Sequence, residues 1–290
     1  MHLVERLECP FCRKTKFKNL FKKNFSDIKL KNFIDEYYQS NLLNQIIKNN
    51  FYELCECNAC HGIFQKYEPD DNFSNLLYDK IISSKNSLIK KNDFFKKNEN
   101  KLKQDSLMIS KLFSKRSDKI KILEFGCGWG FWSKFMKSKS FNITTCEFSD
   151  TRHQHLVKNK INNIQNLNEI NDKFDLIYSE EVLEHVSSPL NILIKLKDLL
   201  NDNGFMFHRF PSSFLFKKKL NSKYNPTKDC AHPLEHLNII NKKCFLEMSR
   251  KADLEFCNLL KFKNQKISSK IKMLKNDLIF NNVLLKTRVY

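Results

Sequence analysis

The chain has 290 residues, of which 41% are hydrophobic and 12% aromatic, and this apolar content excludes a disordered polypeptide. Its length accommodates one full-sized α/β domain with a smaller module beside it. The formal net charge of +19 would suit a nucleic-acid partner. Because lysine far outnumbers arginine, we interpret most of this charge as solvated surface lysine, so that nucleic acid is disfavoured as a partner without being excluded.

The first residues, MHLVERLECPFCRK, carry charges between their apolar positions and lack the apolar core of a signal peptide. No segment approaches the ~20 apolar residues of a membrane span. These features predict a cytoplasmic protein without a membrane span. Its ten cysteines are therefore expected to bind metal or to be buried, rather than to form disulfides.

Two cysteine pairs occupy the region that ends near residue 68, which we predict to be a module of its own. Cys9 and Cys12 form one C-x-x-C pair, and Cys57 and Cys60 form the other. This spacing lets two thiolates reach one tetrahedral Zn²⁺, and two such pairs predict a closed, structural zinc site. Gly62 follows the second pair, where such a turn can use a positive φ.

The segment between the pairs, residues 14–52, has apolar residues at helical spacing and predicts a helical insertion. This insertion is far longer than the ~15–20 residues of compact zinc ribbons, so it must fold back on the site. Cys55 and His61 remain alternative ligands, and a redox-active or metal-free role of the cysteines also remains open. The other cysteines are read as small buried hydrophobic residues; they are Cys127, Cys146, Cys230, Cys244 and Cys257.

Residues 69–118 predict a charged helical connector, and residues 119–290 a domain in which strands and helices alternate. The predicted strands are KILEF, FNITTCEF, FDLIYS and GFMFHRF, and the predicted helices are residues 131–139, 151–160, 190–200 and 241–251. Alternation of this kind predicts a parallel sheet with crossover helices, the α/β class. Two late apolar runs, LEFCNLLKF and DLIFNNVLLKTRV, predict an antiparallel pair at the sheet edge.

Three of the five glycines of the chain, Gly126, Gly128 and Gly130, cluster directly after the first of these strands. A sharp turn from strand to helix needs positive φ or close approach of a ligand. A dinucleotide fingerprint would place its third glycine at position 131, which is Phe131. The spacing therefore argues against NAD.

With Glu124 in front, the loop resembles motif I of class I S-adenosylmethionine-dependent methyltransferases. The resemblance implies a Rossmann-like, mostly parallel sheet with an antiparallel last strand, and S-adenosylmethionine as cofactor. The implied cofactor-binding residues of the loop are Glu124, Gly126, Cys127, Gly128 and Gly130. Glu147 follows at the end of the next strand, near the ~20-residue offset of a ribose-binding carboxylate, and Ser179 ends the predicted strand FDLIYS.

The segment EVLEHV, residues 181–186, resembles the small-molecule branch of the same superfamily. The sequence lacks the Asn/Asp-Pro-Pro-aromatic run typical of DNA and protein amine methyltransferases, and the Pro-Cys of cytosine-C5 methylation. Glu184 and His185 could act as a base or could stabilise the loop and cap the next helix. His185 is our catalytic candidate in this segment.

The segment AHPLEHL, residues 231–237, resembles the region before the last helix of zinc-containing methyltransferases that act on sugars. There a Glu-His pair lies over the acceptor, which makes Glu235 and His236 catalytic candidates. Pro233 replaces a tyrosine of C-methylating relatives and puts C-methylation in doubt.

The resemblance thus implies a small-molecule acceptor such as a sugar or nucleotide sugar. The alternatives are an RNA-base methyltransferase with an N-terminal zinc site and a non-catalytic cofactor-binding protein. The oligomeric state is left undetermined.

Overall fold

We describe residues 1–221, 223–257 and 280–287 of the chain from a computed structural model. The first part of the chain forms a small module of strands and two helices. Its elements are β1 (Leu3–Glu5), β2 (Phe17–Asn24), α1 (Ile28–Tyr38), α2 (Asn41–Ile47), β3 (Phe51–Cys57), β4 (Ile63–Gln65) and β5 (Tyr67–Pro69). β1 and β5 pair as an antiparallel ribbon.

A strand from much later in the chain completes the sheet of this module. β11 (Asn238–Ile239) pairs antiparallel with β4, so the sheet order is β11-β4-β3-β2. Apolar residues from this later region, among them Phe216 and Leu234, share one buried cluster with Leu30 and Ile34 of α1. The module expected to end near residue 68 therefore shares its core with the region that precedes the last helix.

The prediction of helix for residues 14–52 is correct for α1 and α2 and wrong for residues 17–24, which form β2. The register of β2 against β3 shifts between Asn19 and Phe21. This bulge changes which face the following residues use. As a result, Phe17, Leu20 and Phe21 are all buried or half-buried, and their spacing in the sequence is that of one face of a helix.

Helices follow the module without a break. They are α3 (Asp71–Leu76), a π-helical turn (Leu77–Ile81), α4 (Ser84–Lys97) and α5 (Glu99–Leu112). α5 buries Leu102, Met108 and Ile109, whereas α4 has no buried residue. α5 is thus part of the core of the following domain, and α4 lies over its surface.

A seven-stranded sheet forms the rest of the described chain. Its seven strands are β6 (Lys121–Phe125), β7 (Asn142–Cys146), β8 (Asn163–Ile164), β9 (Phe174–Glu180), β10 (Leu200–Pro211), β12 (Leu254–Cys257) and β13 (Phe280–Thr287). The order is β12-β13-β10-β9-β6-β7-β8, and β13 runs antiparallel to both of its neighbours. The neighbouring strands of the series β10-β9-β6-β7-β8 all pair in parallel. The predicted α/β fold is confirmed, as is the antiparallel pair at the sheet edge.

The crossover helices begin and end within two residues of their predicted bounds. They are α6 (Phe131–Ser138), α7 (Asp150–Lys158), α8 (Pro189–Asp198) and α10 (Lys242–Lys251). A further short helix, α9 (Phe216–Lys219), was not predicted. Gly204 lies inside β10, where the register to β9 shifts. Residues 258–262, 277–279 and 288–289 of the two late apolar runs lie outside the described residues. Within the described ranges, the helices are all too short or too polar to cross a bilayer.

Candidate active site

The glycine loop connects β6 to α6, and all three of its glycines have positive φ, at 70°, 58° and 72°. A Cβ on Gly126 would overlap the side chain of Val182, and one on Gly130 would come within 2.5 Å of Leu156 Cδ2. A Cβ on Gly128 would meet no described heavy atom within 4 Å. The middle glycine therefore borders open space, where a ligand can approach the backbone.

Glu147 holds this loop from the adjacent strand end. Its Oε2 accepts a hydrogen bond from the amide of Gly128 at 2.9 Å, and its Oε1 accepts one from the amide of Ser149 at 3.1 Å. Arg152 Nη1 lies 3.5 Å from Oε1. An ionised carboxylate can accept about four hydrogen bonds, so Glu147 retains capacity for a ligand hydroxyl.

Glu124 and Cys127 lie beneath the loop. Glu124 is buried and accepts a hydrogen bond from Ser133 Oγ of α6, and burial raises the pKa of its carboxyl group to about 8. Cys127 packs with Leu156 and Ile161 in a small apolar cluster. Both side chains therefore support the loop from the protein side.

Ser179, at the end of β9, is buried and lies opposite His208 of β10, with 2.7 Å between Ser179 Oγ and His208 Nδ1. The structure thus brings this predicted cofactor residue together with a histidine that sequence reasoning missed. The ring of His208 in turn lies beside Phe245 of α10. Ser179 consequently links the two central strands on the side of the sheet that α10 covers.

Side chains from the helical segment reach over the loop. Trp129 Nε1 donates to Ser87 Oγ of α4 at 3.1 Å. Ser149 Oγ donates to Asp79 Oδ1 of the π-helical turn at 2.7 Å. Sequence reasoning missed Asp79 and Ser87, because only the fold brings these two residues to the loop.

The structure brings all three predicted catalytic residues together. His185 follows β9, and its Nδ1 lies 2.9 Å from the backbone oxygen of Glu235 and 3.0 Å from Tyr78 Oη. A carbonyl oxygen can only accept, so Nδ1 carries the proton and Nε2 presents a lone pair. The rings of His185 and His236 pack edge to face with centroids 4.8 Å apart.

The carboxylate of Glu235 lies in a group of buried aromatic residues. Tyr38 Oη of α1 donates to Glu235 Oε1 at 3.0 Å, and His232 Nε2 lies 3.5 Å from the same oxygen. Burial raises the pKa of Glu235. The N-terminal module therefore contributes a wall of the candidate acceptor site, which the sequence pattern did not predict.

Burial also sets the protonation of the neighbouring residues. It lowers the pKa of His236 to about 4 and that of His185 well below its usual range. It raises the pKa of Glu184 well above its usual range, and the charge of Glu181 adds to that increase. At neutral pH both imidazoles are thus uncharged and can accept a proton or coordinate a cation.

The four paired cysteines form one buried cluster whose sulfur atoms all lie within 4.8 Å of one another. Sγ of Cys9 lies 3.6 Å from that of Cys60, and Sγ of Cys12 lies 3.5 Å from that of Cys57. Tetrahedral Zn–S bonds of about 2.3 Å place sulfurs about 3.8 Å apart. The four thiols therefore fit a structural zinc ion.

Cys55 and His61, the alternative ligands, lie outside this group of four. Cys55 Sγ faces Glu53, with 3.8 Å to Oε1, and His61 Nδ1 lies 3.5 Å from Glu56 Oε1. The expected positive φ occurs at His61, with φ of 59°, instead of at Gly62. A Cβ on Gly62 would overlap the ring of Phe11, so packing is what requires glycine there.

Comparison with known proteins connects this site to one family. Residues 97–258, more than half of the chain, match a family described as a methyltransferase domain. The range includes α5, the glycine loop, and the segments that carry Glu184, His185 and His236.

Among curated proteins, the chain is 32% identical over 102 residues to the ubiquinone biosynthesis O-methyltransferase of Actinobacillus pleuropneumoniae serotype 7 (strain AP76), covering 30% of this chain and 44% of that protein. The homologous enzyme of Glaesserella parasuis serovar 5 (strain SH0165) is 30% identical over the same length, covering 30% and 43%. The chain thus spans less than half the length of these curated relatives.

Among solved structures, the plantazolicin methyltransferase BpumL in complex with SAH is similar, with 12% identity, a TM-score of 0.49, and coverage of 74% of this chain and 94% of that one. An S-adenosylmethionine-dependent methyltransferase from Clostridium acetobutylicum ATCC 824 has 12% identity and a TM-score of 0.42, covering 59% and 87%. The family assignment rests on the match over residues 97–258.

Proposed function

This chain belongs to the family of methyltransferase domains, and on that premise we propose that it transfers the methyl group of S-adenosylmethionine to a hydroxyl group of a small molecule. The glycine loop carries the proposal. Gly128 presents its backbone to open space, and the carboxylate of Glu147 lies beside it with free acceptor capacity. A nucleoside cofactor needs this combination of close backbone approach and an acceptor for ribose hydroxyls.

S-adenosylmethionine supplies an electrophilic methyl group on a sulfonium. Transfer forms an O–C bond and breaks the S–C bond, while the hydroxyl proton leaves to a base or to water. In-line displacement of this kind depends chiefly on positioning and exclusion of water. In this assignment, Glu147 holds the ribose, and Glu124, through Ser133, fixes the loop against α6.

On the acceptor side, His185, Glu235 and His236 line the site. We assign to the Nε2 lone pair of His185 the role of accepting the hydroxyl proton, because the bond from Nδ1 to the Glu235 carbonyl oxygen leaves Nε2 unprotonated. An oxygen acceptor is favoured by the name of the curated relatives, ubiquinone biosynthesis O-methyltransferase. The AHPLEHL segment favours a sugar or nucleotide sugar as the molecule that carries it.

The four cysteines complete the proposal with a structural zinc ion. Cys9, Cys12, Cys57 and Cys60 would hold it in a closed tetrahedral site. The turn that carries Cys9 and Cys12 lies next to α8, where the amide of Leu190 donates to the carbonyl oxygen of Pro10 at 3.4 Å. The zinc would thereby fix the module against the domain that binds the cofactor.

Cofactor binding and methyl transfer are tested separately. S-adenosylmethionine at 100 times its dissociation constant should stabilise the wild-type chain by about 2.7 kcal/mol in thermal unfolding. Glu147→Gln should weaken its binding about tenfold, whereas Asp150→Asn, on the exposed start of α7, should leave the affinity unchanged. Absence of any cofactor-dependent shift in the wild type would overturn the proposal.

Labelled cofactor identifies the acceptor in a screen of nucleotide sugars, small phenols and RNA. We expect transfer to a small molecule. Transfer to RNA alone, with binding that falls steeply as salt rises, would assign the chain to the RNA-base alternative.

A further inference from the structure

Glu184, His185 and His236 form a second group of potential metal ligands, separate from the cysteines. Each offers one ligand atom, and the three atoms lie within 4.8 Å of one another. Glu184 and His185 belong to the turn after β9, whereas His236 precedes β11. The group therefore exists only because the fold brings two distant loops together.

The carboxylate of Glu184 requires an explanation. The residue is 1% exposed, and neither of its oxygens has a hydrogen-bond partner among the described residues. Nδ1 of His236 is likewise buried and unpartnered there. Buried polar atoms without partners are costly, so a carboxylate and an imidazole nitrogen left open at one place indicate a missing ligand.

The hydrogen bonds of His185 resemble those of a metal-binding imidazole. Nδ1–H donates to the carbonyl oxygen of Glu235, and Tyr78 Oη lies 3.0 Å from the same nitrogen. Binding of the second ring nitrogen to a backbone carbonyl fixes the tautomer and the ring orientation of a metal-ligating histidine. Nε2 of His185 is thus left free to coordinate.

We propose that Glu184, His185 and His236 bind a divalent cation beside the methyl-transfer site. Two imidazole nitrogens and one carboxylate are the donor set that protein sites use for Zn²⁺, Mn²⁺ and related ions, and three protein ligands leave coordination positions open. His185 and His236 are half-buried, so a small molecule can reach these positions from solvent.

The position of the group suggests what the open coordination sites hold. Val182, two residues before Glu184, packs directly against Gly126 of the cofactor loop. The cation is therefore placed to bind an oxygen of the acceptor, and an acceptor with two adjacent oxygens, such as a vicinal diol, could occupy two positions. With the cation bound, the Nε2 lone pair of His185 is a ligand rather than a base, and the hydroxyl proton, made more acidic by the cation, leaves to water. This role rests on the proposed function, whereas the cation site itself does not.

The test uses the full-length chain with its cysteine site loaded with Zn²⁺. Titration with Mn²⁺, followed by the electron paramagnetic resonance signal of the free ion, should show one Mn²⁺ bound per chain. Glu184→Gln and His236→Gln should each weaken this binding at least tenfold, and His2→Gln, a remote histidine, should not change it. Cofactor affinity, measured by calorimetry on the same samples, verifies that the variants are folded.

The two proposals fail in different ways. A wild-type chain that takes up neither Mn²⁺ nor a second Zn²⁺ at millimolar concentration would overturn the cation site, even if the cofactor binds. Binding of Mn²⁺ that persists unchanged in both variants would overturn it as well. Normal Mn²⁺ binding without any cofactor binding would support the cation site and overturn the proposed methyltransferase function instead.

Discussion

Two glycines of one loop illustrate how neighbouring residues serve different purposes. Both Gly126 and Gly128 have positive φ, so alanine at either position introduces backbone strain of about 1 kcal/mol. Only Gly126 is also in contact with Val182, whereas Gly128 borders open space. We therefore expect Gly128→Ala to lose little stability and Gly126→Ala to lose considerably more.

Gly128→Ala, the variant that loses less stability, should nevertheless lose cofactor affinity. Gly128→Ala places a methyl group where the cofactor would lie, so its affinity for S-adenosylmethionine should fall at least tenfold. Its free energy of unfolding, measured in urea, should fall by only about 1 kcal/mol. Val182→Ala should restore part of the stability lost in Gly126→Ala, because it removes the overlapping side chain. An unchanged cofactor affinity in Gly128→Ala would contradict this account of the loop.

Glu124 should make stability dependent on pH. Its pKa is raised to about 8 in the folded chain, above the value of about 4.3 for an exposed glutamate. The folded state then keeps a proton that the unfolded state loses, so the stabilising contribution is complete at acidic pH and disappears as pH rises towards 8. The expected slope for this one group is about 1.4 kcal/mol per pH unit.

Comparison of wild type with Glu124→Gln isolates this contribution, since glutamine can still accept the hydrogen bond from Ser133. The difference in unfolding free energy between the two, measured in urea at pH 5.5, 6.5 and 7.5, should change steadily in favour of the variant. A difference that stays constant over this range would mean that Glu124 is already ionised in the folded chain.

At the scale of elements, α5 is held to the sheet by a buried ion pair. Arg209 of β10 donates to Asp105 through Nη1 at 2.7 Å and through Nη2 at 2.5 Å, and Trp132 Nε1 donates to the same carboxylate at 3.2 Å. Removal of one charge from a buried pair costs about 3–5 kcal/mol, because the other charge remains buried.

Asp105→Asn should therefore lower the free energy of unfolding by about 3 kcal/mol. Glu99→Gln provides a matched control on the same helix, since the ion pair of Glu99 with Lys103 is exposed and is worth less than about 0.5 kcal/mol. Equal losses in the two variants, measured by urea denaturation, would show that the buried pair does not anchor α5.

The elements that the sequence predicted well are those whose signal is local. Short apolar runs, helix-forming segments and the glycine loop each lie within a few residues, so the strands β6, β7, β9 and β10 and the helices α6, α7 and α8 could be located. β2 was mistaken for helix because its bulge shifts the alternation of buried residues. Local periodicity cannot reveal a bulge that depends on the partner strand.

The same distinction applies to the site. The glycines, Glu147 and the cysteine pairs could be found from local spacing, and the cofactor role of the first two from the resemblance to motif I. Tyr38 and Tyr78, which contact Glu235 and His185, lie more than 100 residues from their partners and belong to a segment without any recognisable motif. Only the packing of α1 and the π-helical turn against the loop of Glu235 shows that they contribute.

At the scale of the whole molecule, the cysteine cluster lies between the module and the domain. Its four cysteines share one buried core with Leu190 and Leu193 of α8 and with Cys244 and Phe245 of α10. Loss of the proposed zinc ion should therefore destabilise the cofactor-binding domain as well as the module. A chelator that removes zinc is expected to lower the unfolding temperature of the chain as a single transition.

Cys57→Ser and Cys55→Ser form a matched pair two residues apart on β3, of which only Cys57 belongs to the cluster. After substitution with Co²⁺, wild type and Cys55→Ser should show the thiolate charge-transfer absorption at full strength, and a chelator should lower their unfolding temperatures. Cys57→Ser should bind the metal much more weakly and respond little to the chelator, because a hydroxyl is a poor ligand for a site of soft thiolates. An equal response in all three chains would show that the four cysteines are packing residues, with the module held to α8 and α10 by apolar contact alone.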